Sequence, residues 1–163
     1  MNVPSPAPDH RRFLKGGSDL RSMIGDFVPE SLSLLPSSPG ANWRGRLKAE
    51  RGTIVFAMSA GCSVCDYGPI EEFVGKYPHF FYIMLYEGSA EQLEAVRREY
   101  GFEFDIERCD IQTIRVPLGI VAVPWAIVLN AVGQVIGSGL FNNTFQLEWV
   151  AKPLLRAYPE RPQ

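Results

Sequence analysis

From Thr53 onward the sequence alternates between apolar runs typical of buried strands and amphipathic runs typical of helices. The runs with strand character cover residues 53–58, 80–85, 125–129 and 134–136. The runs with helical character begin at Cys62, Ser89 and Thr144. The predicted order is strand, helix, strand, helix, strand, strand, helix. Because parallel neighbours need crossover connections, this order predicts a mixed central sheet with helices on both faces.

Two helix ends carry specific local signals. Ser89 followed by Gln92 has the spacing of a capping box, and Gly101 is well placed to end that helix. The preceding helix is predicted to begin at Cys62 and to stop before Pro78. This boundary would place the cysteine in the first turn of a helix.

The length of 163 residues suits one domain with a single core. Residues 1–17 are rich in proline and glycine and poor in apolar side chains, so we expect a flexible tail or tether followed by one folded domain over residues 18–163. Sixteen basic and 18 acidic residues give a net charge of -2, which argues against a nucleic-acid partner. No apolar run reaches the roughly 18 residues of a membrane span, although an N-terminal anchor removed from a longer product would leave no trace here.

Cys62 and Cys65 form a C-x-x-C pair directly after the first predicted strand. In sheets of this kind, ligands bind beyond the carboxyl ends of the strands, so the position suits chemistry. A helix N-terminus offers unpaired N–H groups that stabilise a thiolate, which is the form that attacks a disulfide. Three residues later, the second sulfur lies on the same helix face. The spacing therefore favours Cys62 as nucleophile and Cys65 as resolving thiol.

A structural disulfide and a metal site are the alternatives for this pair. A closed zinc site needs two further ligands, and only Cys109, His10 and His79 remain, none of them at ligand spacing. We therefore expect no metal. Cys109 is interpreted as a small, half-buried structural residue, and a third redox thiol is its alternative.

Residues 53–65 resemble the strand and active-site turn of thioredoxin-like proteins, residues 123–130 resemble their cis-proline loop and next strand, and residues 132–137 resemble the hairpin that follows. The stretch between Cys65 and Pro124 exceeds that of a minimal thioredoxin by about one strand–helix unit, which the helix after Ser89 supplies. This layout resembles the membrane-anchored TlpA/ResA type of thiol–disulfide oxidoreductase. The resemblance covers roughly residues 25–157.

The resemblance implies an α/β thioredoxin-like three-layer fold and disulfide exchange with protein thiols and a redox partner protein, without a cofactor. It implies a cis peptide bond before Pro124, with the proline ring against the sulfurs, where it would crowd out a metal. The backbone of Val123 would pair with an extended substrate chain. Gly61 replaces the usual tryptophan and implies a more open groove, and Trp125 is a further candidate for substrate contact.

Other departures from the family leave the proton route and the redox potential open. Phe56 stands where thioredoxin has a buried acid, Gly68 stands where the TlpA/ResA type often has Glu, and Pro69 comes one residue early. The inserted unit and the proline-rich tether favour an extracytoplasmic protein, membrane-tethered or secreted, with the cytoplasm as the alternative. The alternative function is a thioredoxin-fold binding or assembly protein with a structural Cys62–Cys65 disulfide.

Overall fold

The structure is a computed structural model that describes residues 23–159, so the predicted tail over residues 1–17 lies outside it. The strands of the described part are β1 (Ser31–Leu32), β2 (Ala41–Asn42), β3 (Thr53–Ser59), β4 (Phe81–Glu87), β5 (Asp105–Arg108), β6 (Trp125–Leu129) and β7 (Val135–Leu140). The helices are α1 (Trp43–Arg46), α2 (Gly68–Lys76), α3 (Ala90–Tyr100), α4 (Ile111–Leu118) and α5 (Thr144–Ala157). Within residues 23–159, no helix has the length and apolar character needed to cross a membrane.

The central sheet has the strand order β5-β4-β3-β6-β7. Strand β4 runs parallel to both β3 and β5, whereas β6 runs antiparallel to both β3 and β7. Strands β1 and β2 form a separate antiparallel pair. The mixed sheet predicted from the sequence is confirmed, and the inserted unit consists of α3 and the edge strand β5.

Side chains of the central strands alternate between two buried clusters, one on each face of the sheet. On β3, Ile54 and Phe56 belong to the first cluster, and Val55 and Ala57 belong to the second. The first cluster is covered by buried residues of α2 and α5, and the second by buried residues of α1 and α4. Helices therefore lie on both faces, which is the predicted three-layer arrangement.

The sequence interpretation missed β5 and α4. Strand β5 has only four residues, Asp105–Arg108, and three of them are charged, so no apolar run marks it. Helix α4 contains Pro117, which breaks the helical pattern in the sequence, although Asp110 caps its start and Gly119 ends it in the left-handed conformation at φ 63°. Both elements depend on contacts with the rest of the fold rather than on a strong local pattern.

The predicted boundaries of α3 are confirmed. The Ser89 hydroxyl accepts the N–H of Gln92 at 3.1 Å, and the Gln92 side chain accepts the Ser89 N–H at 2.8 Å, which completes the capping box. Gly101 ends the helix with φ 64°, a conformation that glycine adopts without a Cβ clash. The last helix, α5, begins at Thr144 as predicted and continues through Pro153.

Candidate active site

Cys62 and Cys65 lie in the turn between β3 and α2 and form a disulfide, with their Cα atoms 5.4 Å apart. The turn is closed by two backbone hydrogen bonds. The N–H of Cys62 donates to the Ser59 carbonyl at 3.2 Å, and the N–H of Cys65 donates to the Cys62 carbonyl at 3.4 Å. Gly61 is exposed, and Val64, between the two cysteines, is 63% exposed. The disulfide therefore sits in a surface turn with both cysteines half-buried.

The prediction that the first helix begins at Cys62 is wrong, because α2 begins at Gly68. A helix starting at Cys62 would place Pro69 in its interior, where the proline lacks an N–H and its ring would collide with the Cys65 carbonyl. In the first turn of a shorter helix the same proline is well tolerated. The pair therefore precedes the helix, and the helix-terminus argument for a stabilised thiolate at Cys62 does not apply.

The segment before β6 reaches the pair from the other side. The peptide bond between Val123 and Pro124 is cis, and Pro124 is buried. The carbonyl oxygen of Val123 lies 3.6 Å from the Cys62 sulfur. Behind it, the N–H of Phe141 donates to the Pro124 carbonyl at 3.4 Å and ties this segment to the end of β7. The fold thus brings Cys62 and Val123 together, although many residues separate them in the sequence.

The two remaining predicted site residues differ in their surroundings. Trp125 is half-buried at the start of β6, packs against the second cluster, and donates its indole N–H to the Ser138 hydroxyl at 2.9 Å. At Gly61, an added Cβ would meet only the Ser59 hydroxyl, at 3.7 Å. No side chain occupies that place, so the rim of the groove is open beside Cys62.

Cys65 faces the aromatic first cluster rather than the solvent-exposed side of the turn. It packs against that cluster together with Tyr67, whose ring lies 5.4 Å from the ring of Tyr100. Burial raises the pKa of the Tyr67 phenol, so this ring is neutral at ordinary pH. Phe56 is fully buried and stacks on Tyr82, with the ring centroids 6.0 Å apart.

A cavity of about 480 Å³ opens between the start of α2 and the start of α5, and Asp66, the residue after Cys65, contributes to its wall. Its lining is rich in carboxylates and amides and consists of Asp66, Gly68, Pro69, Glu71, Glu72, Asn142, Asn143 and Thr144. Glu72 accepts a hydrogen bond from the Thr144 hydroxyl at 2.6 Å. The wall of this cavity is therefore acidic.

The sequence interpretation missed Ser59 and Glu87, which meet next to the turn. They are opposite each other in the parallel register of β3 and β4, at the carboxyl ends of both strands. The Ser59 side chain is buried, and its hydroxyl donates to Glu87 Oε1 at 2.9 Å. The available signal was a polar residue at the end of each of two consecutive buried strands, because such ends share one edge of a parallel sheet.

Cys109 is buried, with 4% of its surface exposed, and its thiol is free. Burial, followed by the charges of Glu87 and Asp110, raises its pKa to about 12. The thiol is therefore protonated and shielded, and it is more deeply buried than the half-buried position predicted from the sequence. Among residues 23–159, no group of three or more His, Cys, Asp or Glu side chains is arranged to hold a metal ion.

Solved structures of similar fold include several redox proteins. A thiol:disulfide interchange protein from Bacteroides sp. superposes with a TM-score of 0.57 at 13% identity, covering 86% of this chain and 97% of that one. A secreted Mycobacterium tuberculosis disulfide oxidoreductase homologous to E. coli DsbE gives 0.55 at 11% identity, covering 76% and 94%. A thioredoxin-like protein in the oxidized form gives 0.62 at 17% identity, covering 80% and 97%.

These likenesses establish the fold class: the chain has a thioredoxin-like fold. No protein-family model matches the sequence, and no curated protein matches it significantly. The fold is therefore what the chain shares with these proteins, and the activity depends on the chemistry of its own site.

Proposed function

We propose that this protein is a thiol–disulfide oxidoreductase that exchanges disulfides with protein thiols through Cys62 and Cys65. The observation that carries the proposal is the placement of the disulfide. It lies in an exposed turn at the carboxyl end of β3, with the Val123 carbonyl 3.6 Å from the Cys62 sulfur. A disulfide that only braces the fold has no need of an exposed turn facing a second backbone segment.

The chemistry needs only the two sulfurs and a partner. In the reducing direction, the Cys62 thiolate attacks one sulfur of a substrate disulfide, and the other substrate sulfur leaves as a thiolate. The Cys65 thiolate then attacks the Cys62 sulfur and releases the substrate. The substrate gains two electrons and two protons, and the pair becomes a disulfide that a redox partner protein reduces again. The reverse steps oxidise a substrate, and the relative potentials of pair and partner decide the direction.

The surroundings of the two cysteines support this division of roles. Cys62 follows exposed Gly61, whose missing side chain leaves the approach open. Cys65 packs against the aromatic first cluster. An incoming substrate therefore reaches Cys62 more easily, and Cys65 is suited to the second, intramolecular attack.

The Val123–Pro124 segment is the proposed docking edge for the substrate backbone. Within the described part of the chain, the N–H of Val123 makes no hydrogen bond, and the ladder between β3 and β6 starts only at Trp125. An extended substrate chain can pair with this free backbone, as strands add to an exposed sheet edge. Pro124, which has no N–H, ends this edge.

We place this activity outside the cytoplasm, in a membrane-tethered or secreted protein. The support is the inserted α3–β5 unit together with the likeness to the secreted Mycobacterium tuberculosis oxidoreductase. Labelling of intact cells with a membrane-impermeant thiol reagent, after mild reduction, tests the location. Modification of Cys62 in intact cells supports it, and protection until lysis would place the protein in the cytoplasm.

The alternative is a thioredoxin-fold binding or assembly protein whose Cys62–Cys65 disulfide is structural. Redox titration of the purified protein separates the two functions. A catalytic pair equilibrates with glutathione or dithiothreitol at a potential above about -300 mV, whereas a structural disulfide resists reduction in that range. Catalysed reduction of insulin by dithiothreitol provides the second measurement. If the pair stays oxidised and the protein does not catalyse insulin reduction, the disulfide has a structural role.

A further inference from the structure

The carboxylate of Glu87 has a hydrogen-bond partner on each oxygen, and the two partners belong to different segments. Oε1 accepts the Ser59 hydroxyl at 2.9 Å, and Oε2 accepts the backbone N–H of Ile111, the first residue of α4, at 2.8 Å. Hydrogen bonds to an ionised acceptor are about twice as strong as neutral ones. The Glu87 side chain therefore links the end of β3 to the start of α4 through two hydrogen bonds.

Ser59 also forms hydrogen bonds with the turn that holds Cys62. Its hydroxyl accepts the N–H of Gly61 at 3.2 Å, and its carbonyl accepts the N–H of Cys62 at 3.2 Å. The backbone carbonyl of Glu87 also accepts the N–H of Ala60, at 2.8 Å. Three consecutive residues before the disulfide are thus held, directly or through Ser59, by one residue of β4.

A close approach of the backbone at Gly88 is a second observation that the end of β4 lies against the turn before Cys62. A Cβ at Gly88 would lie 3.1 Å from the Ala60 Cβ and 2.5 Å from a ring carbon of Tyr86. A larger residue at this position would require the Tyr86 ring and the Ala60 side chain to move. The tight contact between β4 and the turn is therefore built from a glycine as well as from the carboxylate.

The second partner of Glu87 connects the restraint to the other half of the site. Helix α4 begins at Ile111, and the chain that leaves it leads to Val123 and Pro124. The Glu87 side chain consequently joins the segment that carries Cys62 to the helix that precedes Val123. The Cys62 sulfur and the Val123 carbonyl oxygen, 3.6 Å apart, therefore belong to two segments that Glu87 connects through Ser59 and α4.

We propose that Glu87 is a positioning residue for the Cys62–Cys65 pair and acts on it through the Ser59 hydroxyl. By holding the turn in the conformation that closes the disulfide ring, it lowers the reduction potential of the pair. Its negative charge beside the turn disfavours the Cys62 thiolate and acts in the same direction. This inference rests on the proposed function, because it concerns the potential of an exchangeable pair.

The test is the substitution Glu87→Gln in the full chain, with the potential measured against glutathione at fixed pH. A glutamine cannot accept both hydrogen bonds and carries no charge. We expect the equilibrium constant for disulfide formation to fall about tenfold, since the lost bonds involve a charged acceptor. For a two-electron couple this corresponds to a potential about 30 mV more oxidising. A merely structural residue would change the unfolding midpoint and leave this potential unchanged.

Two further variants show that the effect passes through Ser59. Ser59→Ala should shift the potential in the same direction but less, because no charge is removed. The double variant should shift the potential by less than the sum of the two single variants, whereas independent effects would add. Glu91→Gln, which neutralises an exposed carboxylate of α3, is the matched control and should leave the potential unchanged.

Each outcome decides between the two proposals. If the wild-type pair equilibrates and Glu87→Gln has the same potential, the positioning role is overturned and the proposed function stands. If the wild-type pair does not equilibrate with glutathione or dithiothreitol, both fail. If Glu87→Gln does not fold, Ser59→Ala decides the question, and an unchanged potential in that variant overturns the inference.

Discussion

Two cysteine sites lie at the same edge of the sheet and have opposite character. Cys62 follows the end of β3, and Cys109 follows the end of β5, so both stand where an α/β sheet usually carries its chemistry. Cys62 lies in a surface turn with an exposed glycine before it, whereas Cys109 is buried among the apolar residues of the second cluster. Position at the edge is therefore insufficient to make a reactive thiol.

The difference arises from the segment that follows each strand. After β3 the chain makes a turn of several residues before α2 begins at Gly68, because Pro69 prevents an earlier start. After β5 the chain enters α4 at once, with Asp110 as the capping residue and the N–H of Cys109 bonded to the Tyr86 carbonyl at 2.9 Å. A long turn exposes its cysteines, and a direct strand-to-helix connection buries the thiol.

The comparison predicts first that all exchange depends on Cys62. Cys62→Ser should lower insulin reductase activity by at least about 10³-fold, because it removes the attacking sulfur. Cys65→Ser should accumulate a mixed disulfide between Cys62 and the substrate, since the resolving attack is lost. Non-reducing gels and peptide mapping measure the trapped species. Trapping through Cys65 in the Cys62→Ser variant would reverse the assigned roles.

The thiols of the reduced protein should also differ in their rates of alkylation. At neutral pH we expect iodoacetamide to modify Cys62 first and Cys65 more slowly. Cys109 should react at least about 10³-fold more slowly than an ordinary thiol, because its pKa is raised from 9.0 to about 12 and burial limits access. Mass spectrometry of timed samples measures the three rates. Rapid labelling of Cys109 in the folded protein would remove the contrast between the two sites.

Much of the structure around the two cysteine sites can be predicted from the sequence, and the features that cannot be predicted have physical causes. The strand before Cys62 and the one after Pro124 were predictable because their long apolar runs need no help from neighbours. The start of α2 differs from the prediction because a C-x-x-C pair suggests a helix start, whereas the ring of Pro69 excludes a helical turn before it.

The partners of Glu87 could not be predicted from sequence alone. Its hydrogen bond with Ser59 depends on the parallel register of β3 and β4. Its hydrogen bond with Ile111 depends on α4, a helix that is hard to predict from the sequence because it contains Pro117. Local patterns predict elements, but a hydrogen-bond network between the ends of three elements exists only after they are assembled. The burial of Cys109 depends in the same way on α4 and on the pairing of β5 with β4.

A third prediction uses the titration of Cys109. Its folded-state pKa of about 12 lies above the unfolded value of 9.0, so its contribution to stability is complete below pH 9 and is lost as the pH rises toward 12. At pH 10 the loss should be about 1.4 kcal/mol, because the unfolded thiol has ionised and the folded one has not. Urea unfolding of wild type and Cys109→Ala at pH 7 and pH 10 measures it. The difference in unfolding free energy between the two proteins should shrink by that amount, and an unchanged difference would contradict the raised pKa.

The smallest effect is expected for activity in variants of Cys109. Its sulfur is buried and protonated, and it forms no disulfide, so Cys109→Ser should retain insulin reductase activity within about twofold of wild type. The reduction potential of the Cys62–Cys65 couple should also stay unchanged. Cys109→Ala is the matched control, because a serine hydroxyl in an apolar site can lower stability without touching the chemistry. If both variants fold and both lose most of their turnover, Cys109 takes part in a three-thiol relay. The two sites would then form one redox centre, in which Cys109 exchanges disulfides with the Cys62–Cys65 pair despite its burial.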